Sequence, residues 1–359
     1  MTSEATLSES RPTGAPLRIV QWATGNIGTR SLMHVINHPR LELVGLYVYD
    51  DAKAGKDAGE LAGLDVTTGV AATRDVTEIL ALGADCVLYM PRYFDGDEVA
   101  RILASGANIV TTRGEFHRPD SIEPGLRAQI EKACAEGGTS VHSTGSSPGF
   151  ISEAVPLVLS SIQRRLDRIV INEYADMSKR DSPGLLFDVM GYGKPIGPFD
   201  AVRAEYLAGA FGPSLSLLAD ALGMPIDEFV SGGELAAAAD DIEIAAGLLP
   251  KGSIAAQRVS VVGMRGGKSF LEFHANWYCT KQIEPAWDDL QDSGWRIIVE
   301  GDSPMDVSLT FTVPLEKMAE TSPNFTANRA VNAVAALVAA APGIRTTLDL
   351  PFIIGTDLV

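Results

Sequence analysis

Two stretches of this 359-residue chain hold residue types at spacings that could do chemistry. The first is Ala23-Thr24-Gly25-Asn26-Ile27-Gly28, a G-x-G-x-x-G pattern with alanine in the first place. A turn of this kind binds a pyrophosphate. Gly25 lets the backbone approach the anion, Gly28 lets a helix pack on its sheet, and the free N–H groups at the helix start point at the ligand. Thr24, Gly25, Asn26, Ile27 and Gly28 are therefore candidate cofactor contacts. An acid is expected about 20 residues on, and Asp50 stands 22 residues after Gly28. Asp50 suits a ribose 2′-hydroxyl, whereas Lys53 and Lys56 suit a 2′-phosphate, so NAD and NADP both stay open. The second stretch is a pair of loops, Met90-Pro91-Arg92 and Thr112-Arg113-Gly114-Glu115. Each follows an apolar run. In an open parallel sheet, ligands sit at the carboxyl ends of the strands, so both loops should border a nicotinamide. A carboxylate there, Glu115, can pair with an ammonium or iminium and take up a proton.

These groups need a scaffold, and the apolar pattern supplies one. Short runs at Leu17–Ala23, Leu41–Tyr49, Asp85–Met90, Ala107–Thr111 and Thr139–Ser143 alternate with helical stretches at Gly28–Asn37, Val76–Leu82, Gly96–Ser105 and Pro124–Glu136. Buried strands alternating with helices predict a Rossmann-like α/β domain over residues 17–148. Beyond Pro148 the texture changes. Strand-like runs at Arg168–Met177, Asp241–Ala246, Gln257–Met264, Lys268–Cys279, Trp295–Glu300 and Val307–Val313 predict a mostly antiparallel sheet in an α+β domain over 149–324. Met264-Arg-Gly-Gly-Lys268 reads as a hairpin turn. Ala201–Leu222 reads as a long helix broken at Gly212-Pro213, and Thr326–Ala341 as a last helix stopped by Pro342-Gly343. Residues 325–359 are expected to return to the first domain. Residues 1–16, rich in Ser, Thr, Glu and Pro, read as a flexible tail.

Composition narrows the function. Hydrophobic residues make up 46% and charged residues 21%, which suits a globular core and excludes a disordered regulator. A net charge of −17 argues against nucleic acid as a partner. No run is long enough for a membrane span, and no membrane partner is expected. The three cysteines are far apart and suggest neither disulfides nor a metal site. No other set of ligands is present, so no metal is expected, and a cytoplasmic location is expected. No G-x-S-x-G, H-E-x-x-H or Walker pattern supports a hydrolase or a kinase.

The Gly25–Gly28 turn, the Thr111-Thr112-x-Gly114 loop and the segment Glu173-Tyr-Ala-Asp-Met-Ser-Lys179-Arg-Asp181-Ser-Pro183-Gly184 together resemble the dihydrodipicolinate reductase superfamily. Lys179, Asp181 and Pro183 match the reductases' third motif. Ala175 and Asp176 replace its two histidines, and Leu185-Leu186 replace the Gly-Thr that holds a substrate carboxylate. The chain is more similar to the branch containing 2,4-diaminopentanoate dehydrogenase and the native amine dehydrogenases. That resemblance implies NAD(P)-dependent amine oxidation, or reductive amination of a ketone or aldehyde with ammonia. It gives the nitrogen chemistry to Glu115, places an aromatic residue, Phe150, at the substrate pocket and implies a homodimer. Tyr174 and His142 are further candidates to face the pocket. Apolar Leu185-Leu186-Phe187 suggest a substrate without a carboxylate beside the reacting carbon, unless these side chains face the core and a carboxylate is held elsewhere, at Arg92 or Arg113. The alternatives are a cyclic imine reductase and a non-catalytic nucleotide-binding redox sensor.

Overall fold

The computed structural model describes residues 14–355, so residues 1–13 of the expected tail lie outside the described residues. Six strands of the first domain are β1 (Leu17–Trp22), β2 (Leu41–Tyr47), β3 (Ala72–Thr73), β4 (Cys86–Tyr89), β5 (Asn108–Thr111) and β6 (Ser140–Ser143). Between them run α1 (Asn26–Asn37), α2 (Ala58–Ala62), α3 (Val76–Leu80), α4 (Gly96–Ala104) and α5 (Pro124–Gly137). All pairs in this sheet are parallel, in the order β3-β2-β1-β4-β5-β6. This is the Rossmann order, and it reverses between β1 and β4, which makes a ligand crevice at their carboxyl ends. The strands are buried on both faces, as a sheet wrapped by helices requires.

The second domain opens with a wound turn over Ser146–Ala154 and α6 (Val155–Ser160). It continues with β7 (Leu166–Asp176), α7 (Ala201–Ala221), β8 (Glu228–Ala238), β9 (Ile242–Ile244), β10 (Gly247–Leu249), β11 (Ile254–Arg265), β12 (Lys268–Tyr278), β13 (Ile283–Glu284), β14 (Gly294–Gly301) and β15 (Met305–Thr310). Its main sheet runs β13-β8-β11-β12-β7-β14-β15. Only β12 and β7 pair in parallel; the other pairs are antiparallel. One face is apolar: Ile169, Ile171, Val259, Val261, Phe273 and Ile297 pack under Leu207, Phe211 and Leu215 of α7. The opposite face is polar, carrying Arg168, Asn172, Glu272 and His274.

α8 (Leu315–Val338) lays Ala330, Val331, Val334 and Leu337 on Ile19, Val35 and Leu88 of the first domain. β16 (Gly343–Ile344) then adds to β6 as a seventh parallel strand. The fold class is the expected one, with four local corrections. α7 is not broken: Pro213 lies inside it, held by the burial of Ser214, Leu215 and Phe211 around it. α8 starts at Leu315, well before Thr326. Asp241–Ala246 forms only β9, half of a small separate hairpin with β10. β8 had no sequence signal, because Gly232, Gly233 and a run of alanines look nothing like a strand. Gly233 is there for space: a Cβ would lie 2.5 Å from the Phe199 ring.

Candidate active site at the domain junction

The phosphate turn follows β1. Ala23 adopts φ +72°, the left-handed conformation that explains why glycine is the usual residue there. Buried Gln21 braces the turn, its Nε2 donating to the carbonyls of Ala23 and Leu88 at 3.0 and 3.3 Å. Gly25 is the N-cap of α1, and no side chain caps this helix. A Cβ at Gly25 would meet nothing within 4 Å, whereas one at Gly28 would lie 2.2 Å from the Ala23 carbonyl oxygen. The two glycines therefore do different work. Gly28 lets α1 pack, and Gly25 keeps open the space over bare helix N–H groups, where a pyrophosphate fits. Lys53 reaches the same turn, its Nζ donating to the Thr24 carbonyl at 2.9 Å and to Thr24 Oγ1 at 3.0 Å. Exposed Asp50 accepts from the Ala52 N–H through Oδ1 at 2.9 Å.

The loops after β4 and β5 come together. Met90 and Pro91 are buried, and Arg92 is exposed. Arg113 Nη1 donates to the Arg92 carbonyl at 2.8 Å, and its Nη2 and Nε donate to Glu115 Oε1 at 2.6 and 3.2 Å. Glu115 Oε2 is buried without a partner among the described residues. Thr112, Arg113, Gly114 and Glu115 line a cavity of about 550 Å³ with Pro148, Tyr206 and Pro213.

A second cavity, of about 300 Å³, lies between the second sheet, the Ser146-Ser147 turn and α8. Tyr174 borders it. Phe150 packs against Trp295, one of its walls, with ring centroids 6.1 Å apart. His142 differs from its expectation. It is fully buried, its Nδ1 lies 2.7 Å from the Arg345 carbonyl oxygen, and it borders neither cavity. Burial pushes its pKa down to about 4.

Sequence reasoning passed over most of this second cavity. Glu173 projects from β7, with Oε1 accepting the Trp277 indole N–H at 3.2 Å and Oε2 the Trp295 indole N–H at 3.1 Å. Phe311 and Phe325 stack at 4.2 Å along another wall. Arg180 also borders the cavity, while Lys179, the residue singled out from the motif, is exposed. Leu186 does not border it. It is fully buried beside Tyr192 and Leu249 in a separate core. Leu186, with Phe187 packed against the same core, is spent on packing and lines neither cavity.

A buried histidine–carboxyl contact joins the two halves of the junction. His117, three residues from Gly114, faces Glu153 of the Ser146–Ala154 turn at 2.5 Å, with side chains 2% and 1% exposed. Thr347, after β16, donates to the other oxygen of Glu153. Burial works against the Glu153 charge, but His117, Thr347 and Ser214 outweigh it and hold the carboxyl below its ordinary range.

The family model for the 2,4-diaminopentanoate dehydrogenase C-terminal domain matches residues 150–356. The chain belongs to that family. An amine dehydrogenase of Streptomyces virginiae is 28% identical over 346 residues, covering 92% of this chain and 95% of the relative. A 2,4-diaminopentanoate dehydrogenase of Acetoanaerobium sticklandii is 25% identical over 319 residues, covering 87% and 84%. The solved amine dehydrogenase from Mycobacterium smegmatis superposes with a TM-score of 0.72 at 20% identity, over 96% of this chain and 98% of that one. That likeness shows the fold. The matched segment holds all of the second cavity except Ser146 and Ser147, whereas the phosphate turn and Glu115 lie outside it.

Proposed function

We propose that this family member is an NAD(P)-dependent amine dehydrogenase. It interconverts an amine with a ketone or aldehyde plus ammonia. The observation that carries this reading is the placement of Glu115, on the loop after β5, at the carboxyl edge of a sheet in Rossmann order. The dehydrogenase relatives support it. The cradle suits a dinucleotide, with open space over Gly25, an uncapped helix start and Lys53 on the turn. Thr24 to Gly28 would hold the pyrophosphate, and the loops at Met90–Arg92 and Thr112–Gly114 would flank the nicotinamide. The bound nicotinamide supplies the hydride acceptor for deamination and the donor for amination. Arg113 fixes Glu115 through Oε1 and leaves Oε2 for the substrate nitrogen. There a carboxylate stabilises an ammonium or iminium charge and accepts the proton that leaves nitrogen.

The test follows nicotinamide absorbance with NADH or NADPH, ammonia and a panel of ketones and aldehydes. Turnover is expected, and Glu115→Gln should lower it about 100-fold with cofactor affinity unchanged. Cofactor binding with no turnover on the whole panel would favour a nucleotide-binding sensor. We also assign the polar face of the second sheet to a second copy of the chain. That face carries the Arg168–Glu272 and His274–Glu272 contacts, and a homodimer is the commonest assembly of soluble proteins. Light scattering that gives a monomer mass would exclude this.

A further inference from the structure

Glu115 stands in a loop whose other members are tied to several different elements. The Thr111 hydroxyl donates to the Tyr89 carbonyl at 2.7 Å and accepts the Arg113 N–H at 3.1 Å. Phe116 donates its N–H to Ser143 Oγ of β6 at 2.9 Å and buries its ring against Phe94. His117 meets Glu153 of the Ser146–Ala154 turn at 2.5 Å. Arg118 Nε donates to Asp220 Oδ2 of α7 at 2.6 Å. Glu153 is the least expected of these anchors. A carboxylate this deeply buried is costly, yet Glu153 lines neither cavity. Its oxygens are divided between distant parts of the chain. Oε1 faces His117, two residues from Glu115, and Oε2 accepts the Thr347 hydroxyl from the segment after β16. Ser214 of α7 also favours its charge, and Ser214 is bonded to Ser152 at 2.7 Å. Glu153 therefore joins the loop of Glu115 to the domain turn, to α7 and to the segment after β16.

Resting on the reading of Glu115 as the group that handles the substrate nitrogen, we propose that Glu153 is a positioning residue for the same reaction. Through His117 it holds the Glu115 carboxylate at the distance that proton transfer requires. Two peptide units separate His117 from Glu115, and each residue has only two soft backbone dihedrals. A displaced His117 therefore carries the carboxylate with it. Proton transfer and charge stabilisation are steep in distance, and a misplacement of about 1 Å costs up to about 100-fold in rate. Thr347 extends the tie to the segment after β16, which acts on the chemistry without entering either cavity.

The measurement is the single-turnover rate of nicotinamide oxidation by the full chain, with ammonia and cyclohexanone, hexan-2-one or pentanal. The fastest of the three carries the comparison. Glu153→Gln keeps size and removes the charge. It should lower the rate about tenfold and leave cofactor affinity and the steady-state KM of the carbonyl within about twofold. Thr347→Val should lower the rate about threefold, and Thr347→Ser, which restores the hydroxyl, should recover it. This second pair serves if the glutamine variant does not fold. The decisive arm is the double variant. The effect of Glu153→Gln should vanish in a Glu115→Gln background, because it acts through that carboxylate. A loss that persists there at full size would make Glu153 structural only and overturn the proposal, as would a wild-type rate in Glu153→Gln. A Glu115→Gln variant as fast as the wild type would instead overturn the reading of Glu115, and the role of Glu153 with it. No turnover on any of the three carbonyls would overturn both.

Discussion

In the parallel sheet, the candidate cofactor-binding groups lie on turns at one edge, and their features are those of the backbone. Ala23 at φ +72°, the open space at Gly25 and the bare start of α1 are features of main-chain shape. In the antiparallel sheet the chemistry sits on side chains from separate strands. Glu173 comes from β7, Trp277 from β12 and Trp295 from β14, and they meet because β7 pairs with both neighbours. One region is therefore a generic cradle and the other a specific box. Under the proposed function the first region would hold the cofactor and present Glu115, and the second would meet the rest of the substrate. The hinge between them is the His117–Glu153 pair, which belongs to both.

That division can be broken first at the hinge. Glu153→Ala removes one member of a fully buried pair and the acceptor for Thr347. Losses of this kind cost about 3–5 kcal/mol, measurable as a shift in the urea midpoint. A loss below about 1 kcal/mol would mean that the two regions are not pinned here. The same junction should make the protein acid-sensitive. His142 stays neutral in the folded state down to about pH 4, while the unfolded chain binds its proton near its ordinary value. The unfolded state therefore holds more protons between those values, and stability falls as pH drops. From pH 7 to 5 the loss should be about 2 kcal/mol from this group. Glu153, held below its ordinary range, adds a loss of the same sign at still lower pH. A His142→Asn variant should be less stable at pH 7 but show a shallower acid slope. An unchanged slope would place the acid sensitivity elsewhere.

The cradle itself can be separated from its fold by two substitutions three residues apart. Gly25→Val enters open space and should leave the melting temperature in place, while cofactor affinity falls about 100-fold as the pyrophosphate loses its approach. Gly28→Ala drives a Cβ against the Ala23 carbonyl oxygen and should cost about 1–3 kcal/mol of stability. If Gly25→Val binds cofactor normally, the turn is structural only.

The same contrast explains how much was legible in the sequence. The parallel domain could be read because its signals are contiguous: an apolar run, a glycine turn, a helix, a second run, an acid. Tyr174 and the Pro148-Gly149-Phe150 turn were also within reach. The box was not, because Trp277, Trp295 and Phe325 look like core aromatics until strand register brings them beside Glu173. Arg180 was hidden by its neighbour. A motif pointed to Lys179, but the turn after β7 exposes Lys179 and sends the next side chain into the cavity. His142 failed for a related reason. β6 is buried on both faces, so its residues supply core contacts instead of cavity walls.

The smallest effect concerns the end of β2, where acids and cations alternate. Asp50 bonds its own turn, Asp51 pairs with Arg74, and Lys53 reaches back to Thr24. From sequence, Lys53 was a candidate for a 2′-phosphate. Its ammonium instead lies on the residue before Gly25, where the pyrophosphate is expected, and NAD and NADP share that group. Lys53→Ala should therefore weaken NADH and NADPH alike, by about tenfold, the value of one charge-assisted contact. Arg74, paired with Asp51 just after Asp50, is the cation to test for telling the two cofactors apart. Arg74→Ala should leave NADH binding in place and lower NADPH affinity by about three- to tenfold, since the site is exposed and screened. Fluorescence titration of both cofactors against both variants decides the matter. A Lys53→Ala variant that loses NADPH affinity while keeping NADH would move Lys53 from the shared cradle to the discriminating site.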